Sequence, residues 1–332
     1  MKDKTTLKKL LFNHNNDYGF DVICILSRQP NDISSLSVII PYFESESVFR
    51  LTLHHLYNSL NNVLDLYKNW KFEVIVVDDG SKKFPAEKQI KSSDYPNLKI
   101  ITNQKNKGRT STRNVGLLNS RYDLCLFMDS DVLIDVQIIL NHLKIHSYCR
   151  QTKKAKAITV SFFQFGNAKE PQLKFNRLTP ADLKLNDYRL YCKYDPTWIG
   201  CEQDKKFIGK EFRIVHDTND FKGWHGMYKA WALTNMVLGG FFVVDRKDSM
   251  KMNGFNESFK GYGFTETSLP TKLIATSGHY LIPVLVGGGL HIEDGKVNVT
   301  RKDKDKIFWQ KHDFYFNKYL GLTPENAIQD KV

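Results

Sequence analysis

Leu124-Cys125-Leu126-Phe127-Met128-Asp129-Ser130-Asp131-Val132-Leu133 places five apolar residues in a row ahead of two carboxylates one residue apart. The apolar run fits a strand buried on both faces, as in the middle of a parallel sheet. A desolvated, unpaired carboxylate costs several kcal/mol or more, so Asp129 and Asp131 belong at a cleft and not in a dry interior. Open α/β sheets bind ligands at the carboxyl ends of their strands. A hard divalent cation, Mg²⁺ or Mn²⁺, carrying a phosphate is the natural partner for two such oxygens.

Working outward, the same grammar repeats. Ser37-Val-Ile-Ile-Pro41 is another continuous apolar run, closed by a proline, and Phe72 to Val77 is a further strand ending in Asp78-Asp79-Gly80-Ser81. Leu98 to Thr102 reads as a third short strand. Helical spacing of apolar residues runs from about Val48 to Tyr67, and Arg109 to Ser120 reads as a second helix. The alternation of strand and helix implies parallel βα units with right-handed crossovers. Polar or acidic turns at Pro41-Tyr42-Phe43-Glu44, Asp78-Asp79 and Asp129-Ser130-Asp131 would then share one sheet edge and build one pocket.

Beyond Asp131 the sequence predicts a helix over Val136 to Cys149 and a strand over Ala157 to Phe165, then an irregular stretch, 166 to 230. Pattern returns at Gly239-Gly240-Phe241-Phe242-Val243-Val244. A helix is expected from about Glu266 to Thr276, a strand from Tyr280 to Val286, and a closing helix from about Lys302 to Tyr319. Near the start, Phe20 to Leu26 reads as a strand. Met1 to Phe12 mixes lysines with leucines and reads either as a membrane-surface helix or as a frayed terminus. The expected division is an N-terminal extension 1–34, a first half of the main domain 35–133, an insert region 134–237, a second half 238–300 and a helical tail 301–332.

Composition bounds the partners. A net charge of +12 favours anionic ligands, yet the scattered lysines lack the pattern of a nucleic-acid module. Five cysteines form no CxxC pair, as expected of free thiols in a reducing compartment. No apolar run reaches a membrane span and no signal-peptide core is evident, so a cytoplasmic location is expected, with peripheral association at the inner membrane face left open. His142 and His146, four apart on the predicted helix, lack a third ligand nearby and read as ordinary helix residues.

The ordered set Ser37-Val-Ile-Ile-Pro41-Tyr42, Val77-Asp78-Asp79-Gly80-Ser81, Asn106-Lys107-Gly108 with Arg113-Asn114-Val-Gly116, Phe127-Met-Asp129-Ser-Asp131, Gly239-Gly240-Phe241, and Gly254-Phe255-Asn256-Glu257 followed by Gly261-Tyr-Gly263 resembles the inverting family 2 glycosyltransferases. The resemblance covers roughly residues 36–132 and 238–295. It implies the α/β GT-A fold, a Rossmann-like, mostly parallel sheet flanked by helices, with a UDP-sugar donor, a divalent metal (Mn²⁺ or Mg²⁺) and a glycan, lipid-linked or peptide acceptor. By that resemblance Pro41, Tyr42 and Glu44 wall the nucleoside pocket, and Asp79 accepts from the base. Lys107, Gly108 and Arg113 meet the diphosphate. Asp129 and Ser130 lie at the donor, Asp131 ligates the metal with Asp129 and His291, and Gly239 and Gly240 pass close to the sugar. The family pattern has Glu-Asp after Gly-x-Gly, with the Asp as general base. Here Thr265-Glu266 stands there, so Glu266 is the expected base, and a non-catalytic nucleotide-sugar-binding protein of the same fold is the alternative. A nucleotidyltransferase ranks last, for want of a glycine-rich triphosphate loop.

Overall fold

The computed structural model describes residues 5–161, 163–167, 240–284, 289–293 and 301–329, with 234 and 237 and without 15, 17, 21, 46, 47 and 262. Within these, α1 (Leu7–Asn13) and α2 (Val22–Leu26) precede β1 (Leu36–Tyr42), α3 (Val48–Leu66), β2 (Phe72–Asp78), a short α4 (Ala86–Gln89), β3 (Leu98–Thr102), α5 (Arg109–Asn119) and β4 (Leu124–Met128). Then come β5 (Val132–Ile134), α6 (Ile138–Tyr148), β6 (Ala157–Val160), β7 (Phe163–Asn167), β8 (Phe241–Asp245), α7 (Arg246–Lys251), α8 (Ser268–Ser277), β9 (Tyr280–Pro283), β10 (Gly289–Glu293), α9 (Arg301–Asn317) and α10 (Pro324–Gln329).

The main sheet has the order β3-β2-β1-β4-β8-β6-β9, and a smaller one has the order β5-β10-β7. Strands β1 to β4 are mutually parallel, while β8 runs antiparallel between β4 and β6. The apolar runs explain this centre: every residue of β1, β2 and β4 is buried. Alternation still sorts side chains between faces. Val38, Ile40, Leu126 and Phe241 join the core under α3, whereas Ile39, Phe127 and Phe242 join the core shared with α5 and α8. Gly116 lets α5 lie flat on the sheet, since a Cβ there would sit 2.3 Å from Ile39 Cγ2.

Three expectations need correction. Phe20 to Leu26 is not a strand: Val22, Ile25 and Leu26 are buried at helical spacing while Cys24 is exposed, and the segment packs as α2 against α6. Within the opening stretch, the described residues 5–12 are neither a membrane-surface helix nor frayed. Thr6 Oγ1 caps α1, Leu7 and Leu11 are fully buried, and Leu7 N–H donates to Leu322 O at 2.9 Å. Ala157 to Phe165 breaks into β6 and β7, which belong to different sheets, with Ser161 N–H turned to Phe241 O at the break. Among the described residues no helix is long and apolar enough to cross a membrane.

Candidate active site

All four parallel strands point their carboxyl ends at one edge, and β8 begins there, because its antiparallel register sets Phe241 opposite Met128. Gly240 is thereby buried beside the acids, its carbonyl accepting the Asp129 N–H at 3.1 Å. Gly239 lies outside the described residues.

The β1 and β2 tips are bound to each other. Glu44 accepts the backbone N–H groups of Lys82, Lys83 and Phe84 at 2.6 to 3.1 Å and its own N–H donates to Ser81 Oγ. Burial alone would raise its carboxyl, but those three donors and the Lys83 charge together hold it below the ordinary value. Tyr42 is 1% exposed, its ring 4.7 Å from Phe49 and its hydroxyl within hydrogen-bond distance of two carbonyl oxygens, Ser45 O and Phe84 O, to either of which its one hydrogen can donate. Its aromatic face is therefore core, a correction to its expected place against a base. Pro41 is likewise buried in the ladder opposite Val77. The ring that does reach solvent is the next one, Phe43, 50% exposed at this tip. Sequence reading passed over it, although an apolar residue in an otherwise polar turn was the available signal.

Asp78 accepts from Ser81 N and Ala86 N, both at 2.8 Å, and is fully buried. Asp79 accepts from Asn103 Nδ2, Lys107 N and Gly108 N at 2.8 to 2.9 Å. Both oxygens of Asp79 thus hold the loop after β3 in place, with Gly108 at φ +90°. That loop delivers Lys107 and Arg109 to the edge as exposed cations.

Asp129, Asp131 and His291 come together. One ligand atom from each lies within 4.8 Å of the others. The small sheet causes this, since β10 pairs with β5 so that His291 faces Val132, and Ile292 N–H donates to Asp131 O. His291 Nε2 is 3.5 Å from Asp131 Oδ1, and no hydrogen-bond donor among the described residues satisfies that oxygen. Burial lifts the Asp131 carboxyl above its ordinary value; His291 opposes this, Asp129 adds to it, and Arg109 opposes. Two carboxylates and an imidazole converging with an unsatisfied oxygen fit a divalent cation. Ser130 lies between the acids, its carbonyl tied to Thr52 Oγ1 at 2.9 Å.

Arg113 is not free to grip a diphosphate. It is fully buried, with Nη2 3.0 Å from Asp129 Oδ1 and Nη1 3.7 Å from Glu266 Oε2. The reason lies in its neighbour: Asn114 pairs with the Phe255 backbone through Nδ2 to O at 2.9 Å and N–H to Oδ1 at 2.8 Å, which clamps α5 to the 254–259 loop and turns Arg113 inward. Gly254 is required there, since at φ +60° its Cβ would lie 2.4 Å from Asn114 Oδ1. The next loop carries Gly261, Gly263 and Phe264 at positive φ and ends at Thr265-Glu266 just before α8. Ser268 supports the turn by accepting the Asn256 N–H at 3.0 Å.

His142 and His146, read from the sequence as ordinary helix residues, are buried in α6. His142 sits 2.7 Å from Thr159 Oγ1 and 2.8 Å from Ser161 Oγ, and His146 is 3.0 Å from Thr159 Oγ1. Burial pushes His146 down to about 3 and His142 well below its ordinary value, so both are neutral.

Comparison with known proteins agrees with this architecture. The structure of GalNAc-T7 with UDP, GalNAc and Mn²⁺ superposes with a TM-score of 0.50 at 14% identity, over 98% of this chain and 60% of that one. A mostly parallel sheet flanked by helices, with acids and a candidate cation site at its carboxyl edge, is the GT-A fold. The sequence model of glycosyl transferase family 2 matches residues 37–147, so the chain carries a domain of that family over those residues. It is 26% identical over 256 residues to the uncharacterized glycosyltransferase YfnE of Bacillus subtilis (strain 168), covering 71% of this chain and 59% of that protein. It is 32% identical over 302 residues to the chondroitin synthase of Pasteurella multocida (strain Pm70), covering 86% of this chain and 28% of that enzyme.

Proposed function

We propose that the protein transfers a sugar from a UDP-sugar to a glycan, lipid-linked or peptide acceptor with inversion at the anomeric carbon. The observation that carries this reading is the convergence of the Asp129, Asp131 and His291 ligand set with Glu266 at one strand edge, joined through Arg113. The UDP, GalNAc and Mn²⁺ of the GalNAc-T7 structure support a UDP-sugar and Mn²⁺ as the donor and metal, and the name of the Pasteurella relative, chondroitin synthase, supports a glycan acceptor.

Asp129, Asp131 and His291 would hold the cation. When bound, it supplies Lewis-acid stabilisation of the charge that develops on the departing diphosphate. Lys107 and Arg109 add fixed positive charge at the same edge, and Phe43 offers a ring face for the base. Asp79 serves the donor from behind, by holding the backbone of Lys107 and Gly108. Glu266 accepts the proton of the acceptor hydroxyl as that oxygen bonds to the anomeric carbon, and the sugar's bond to the diphosphate breaks with its electron pair leaving on UDP.

The test is UDP release from a panel of UDP-sugars with Mn²⁺, for the parent, Asp131→Ala and Glu266→Gln. Turnover by the parent alone supports the reading. Tight UDP binding by calorimetry with no release from any donor would instead mark a nucleotide-sugar-binding protein that does not catalyse.

A further inference from the structure

Thr265 stands where the family pattern has an acid, and the structure gives that threonine a specific set of contacts. Its hydroxyl donates to Glu266 Oε2 at 2.6 Å, and the same oxygen atom of Thr265 accepts from Arg113 Nη1 at 3.4 Å. Arg113 Nη1 also lies 3.7 Å from Glu266 Oε2, while Nη2 is held by Asp129 Oδ1 at 3.0 Å. The Arg113 side chain is 1% exposed, and its guanidinium carbon lies 5.9 Å from the centre of the Phe255 ring. A guanidinium has only donors and a threonine has one hydroxyl hydrogen, so the direction of the chain is fixed. It runs from Arg113 to Thr265 to the Glu266 carboxylate.

We propose that Thr265 and Arg113 are positioning residues that hold Glu266 by Oε2 and leave Oε1, which has no hydrogen-bond partner among the described residues, as the atom that receives the acceptor proton. This rests on Glu266 being the general base. The physical need is specific to this chain. Glutamate carries one more rotatable bond than aspartate, and an untethered carboxylate samples rotamers that miss the acceptor. A second acid at 265 would compete with Glu266 for Arg113 and set a like charge against it. A hydroxyl at 265 donates to the same oxygen that Arg113 attracts, so both groups pull Glu266 into one orientation. Because Nη2 of the same guanidinium is fixed by Asp129, the carboxylate at the cation site and the carboxylate of the base are aligned through a single rigid plane.

The experiment compares Thr265→Val, which keeps the shape and removes the hydroxyl, with Thr265→Ser, which keeps the donor, and with Glu266→Gln. Each full-length variant is assayed for kcat and KM with the UDP-sugar and Mn²⁺ pair that the parent turns over best, water or the acceptor in use serving all variants alike. Loss of a hydrogen bond to a charged group predicts a fall in kcat of about 10- to 100-fold for Thr265→Val, with donor KM held within about twofold. Thr265→Ser should restore most of kcat, a recovery that a role in packing alone would not give to the smaller side chain. If Glu266→Gln turns over like the parent, the assignment of the base and this inference fall together. If Glu266→Gln is inert while Thr265→Val matches the parent, or Thr265→Ser fails to recover, the positioning role alone is overturned.

Discussion

Two sets of acids occupy the same strand edge, and they differ in what their oxygens do. Glu44, Asp78 and Asp79 are engaged by backbone N–H groups of their own chain and fasten the loops after β1, β2 and β3. Asp129, Asp131 and Glu266 have far fewer internal donors, with Asp131 Oδ1 lacking any among the described residues. The first set shapes the pocket and the second remains available to chemistry. An aspartate at the tip of a strand can do either, and only the count of donors around it tells which.

Substitution at Asp131 should separate the two sets most sharply. Asp131→Asn is expected to lower Mn²⁺-dependent UDP release by roughly 10²- to 10³-fold and to abolish Mn²⁺ binding in calorimetry. Its unfolding free energy should stay level, because burial already disfavours that charge. Asp78→Ala should behave oppositely. Stranding the buried N–H groups of Ser81 and Ala86 should cost about 3 kcal/mol in urea unfolding while Mn²⁺ still binds. A loss of metal binding in Asp78→Ala without a loss of stability would dissolve the distinction.

Histidines show the same contrast. His146 is held below its ordinary pKa of 6.5, to about 3, so its contribution to stability is complete above 6.5 and is lost as pH falls through that window. Urea unfolding at pH 5 against pH 7 should show a loss of about 2 kcal/mol from this residue, and His146→Gln should flatten the slope. His291→Ala should instead weaken Mn²⁺ binding, read by calorimetry. The smallest effect belongs to the tip of β1: Phe43→Ala should raise donor KM by a factor equivalent to about 1 kcal/mol, read in the same UDP-release assay.

The sheet was legible because buried parallel strands leave continuous apolar runs, as in Val38 to Ile40 and Leu124 to Met128, and the acids that follow each run mark its carboxyl end. The grouping of Asp129 with Asp131 was legible for the same reason, with His291 supplied by resemblance. Orientation was not legible. Tyr42 and Phe43 are adjacent aromatics on opposite sides of a strand tip, and period-two alternation decides which is core only once register is known. Arg113 was read as a phosphate ligand because its charge is visible in sequence, whereas the Asn114 clamp that turns it inward depends on residues about 140 positions away in the chain. The Phe20 to Leu26 segment failed on composition, since β-branched residues suggested a strand where burial at i, i+3 and i+4 makes a helix.

The antiparallel course of β8 has a consequence for how such a chain can diversify. Asn167 ends β7 beside Glu293, and Gly240 precedes β8 against Asp129, so the described chain leaves and rejoins the scaffold at the strand edge that carries the acids. Replacing the stretch between them wholesale would leave every pairing of the seven-stranded sheet untouched. Selection can therefore exchange that stretch as if changing a tool head, while the strand edge that carries Asp129 and Asp131 is inherited whole.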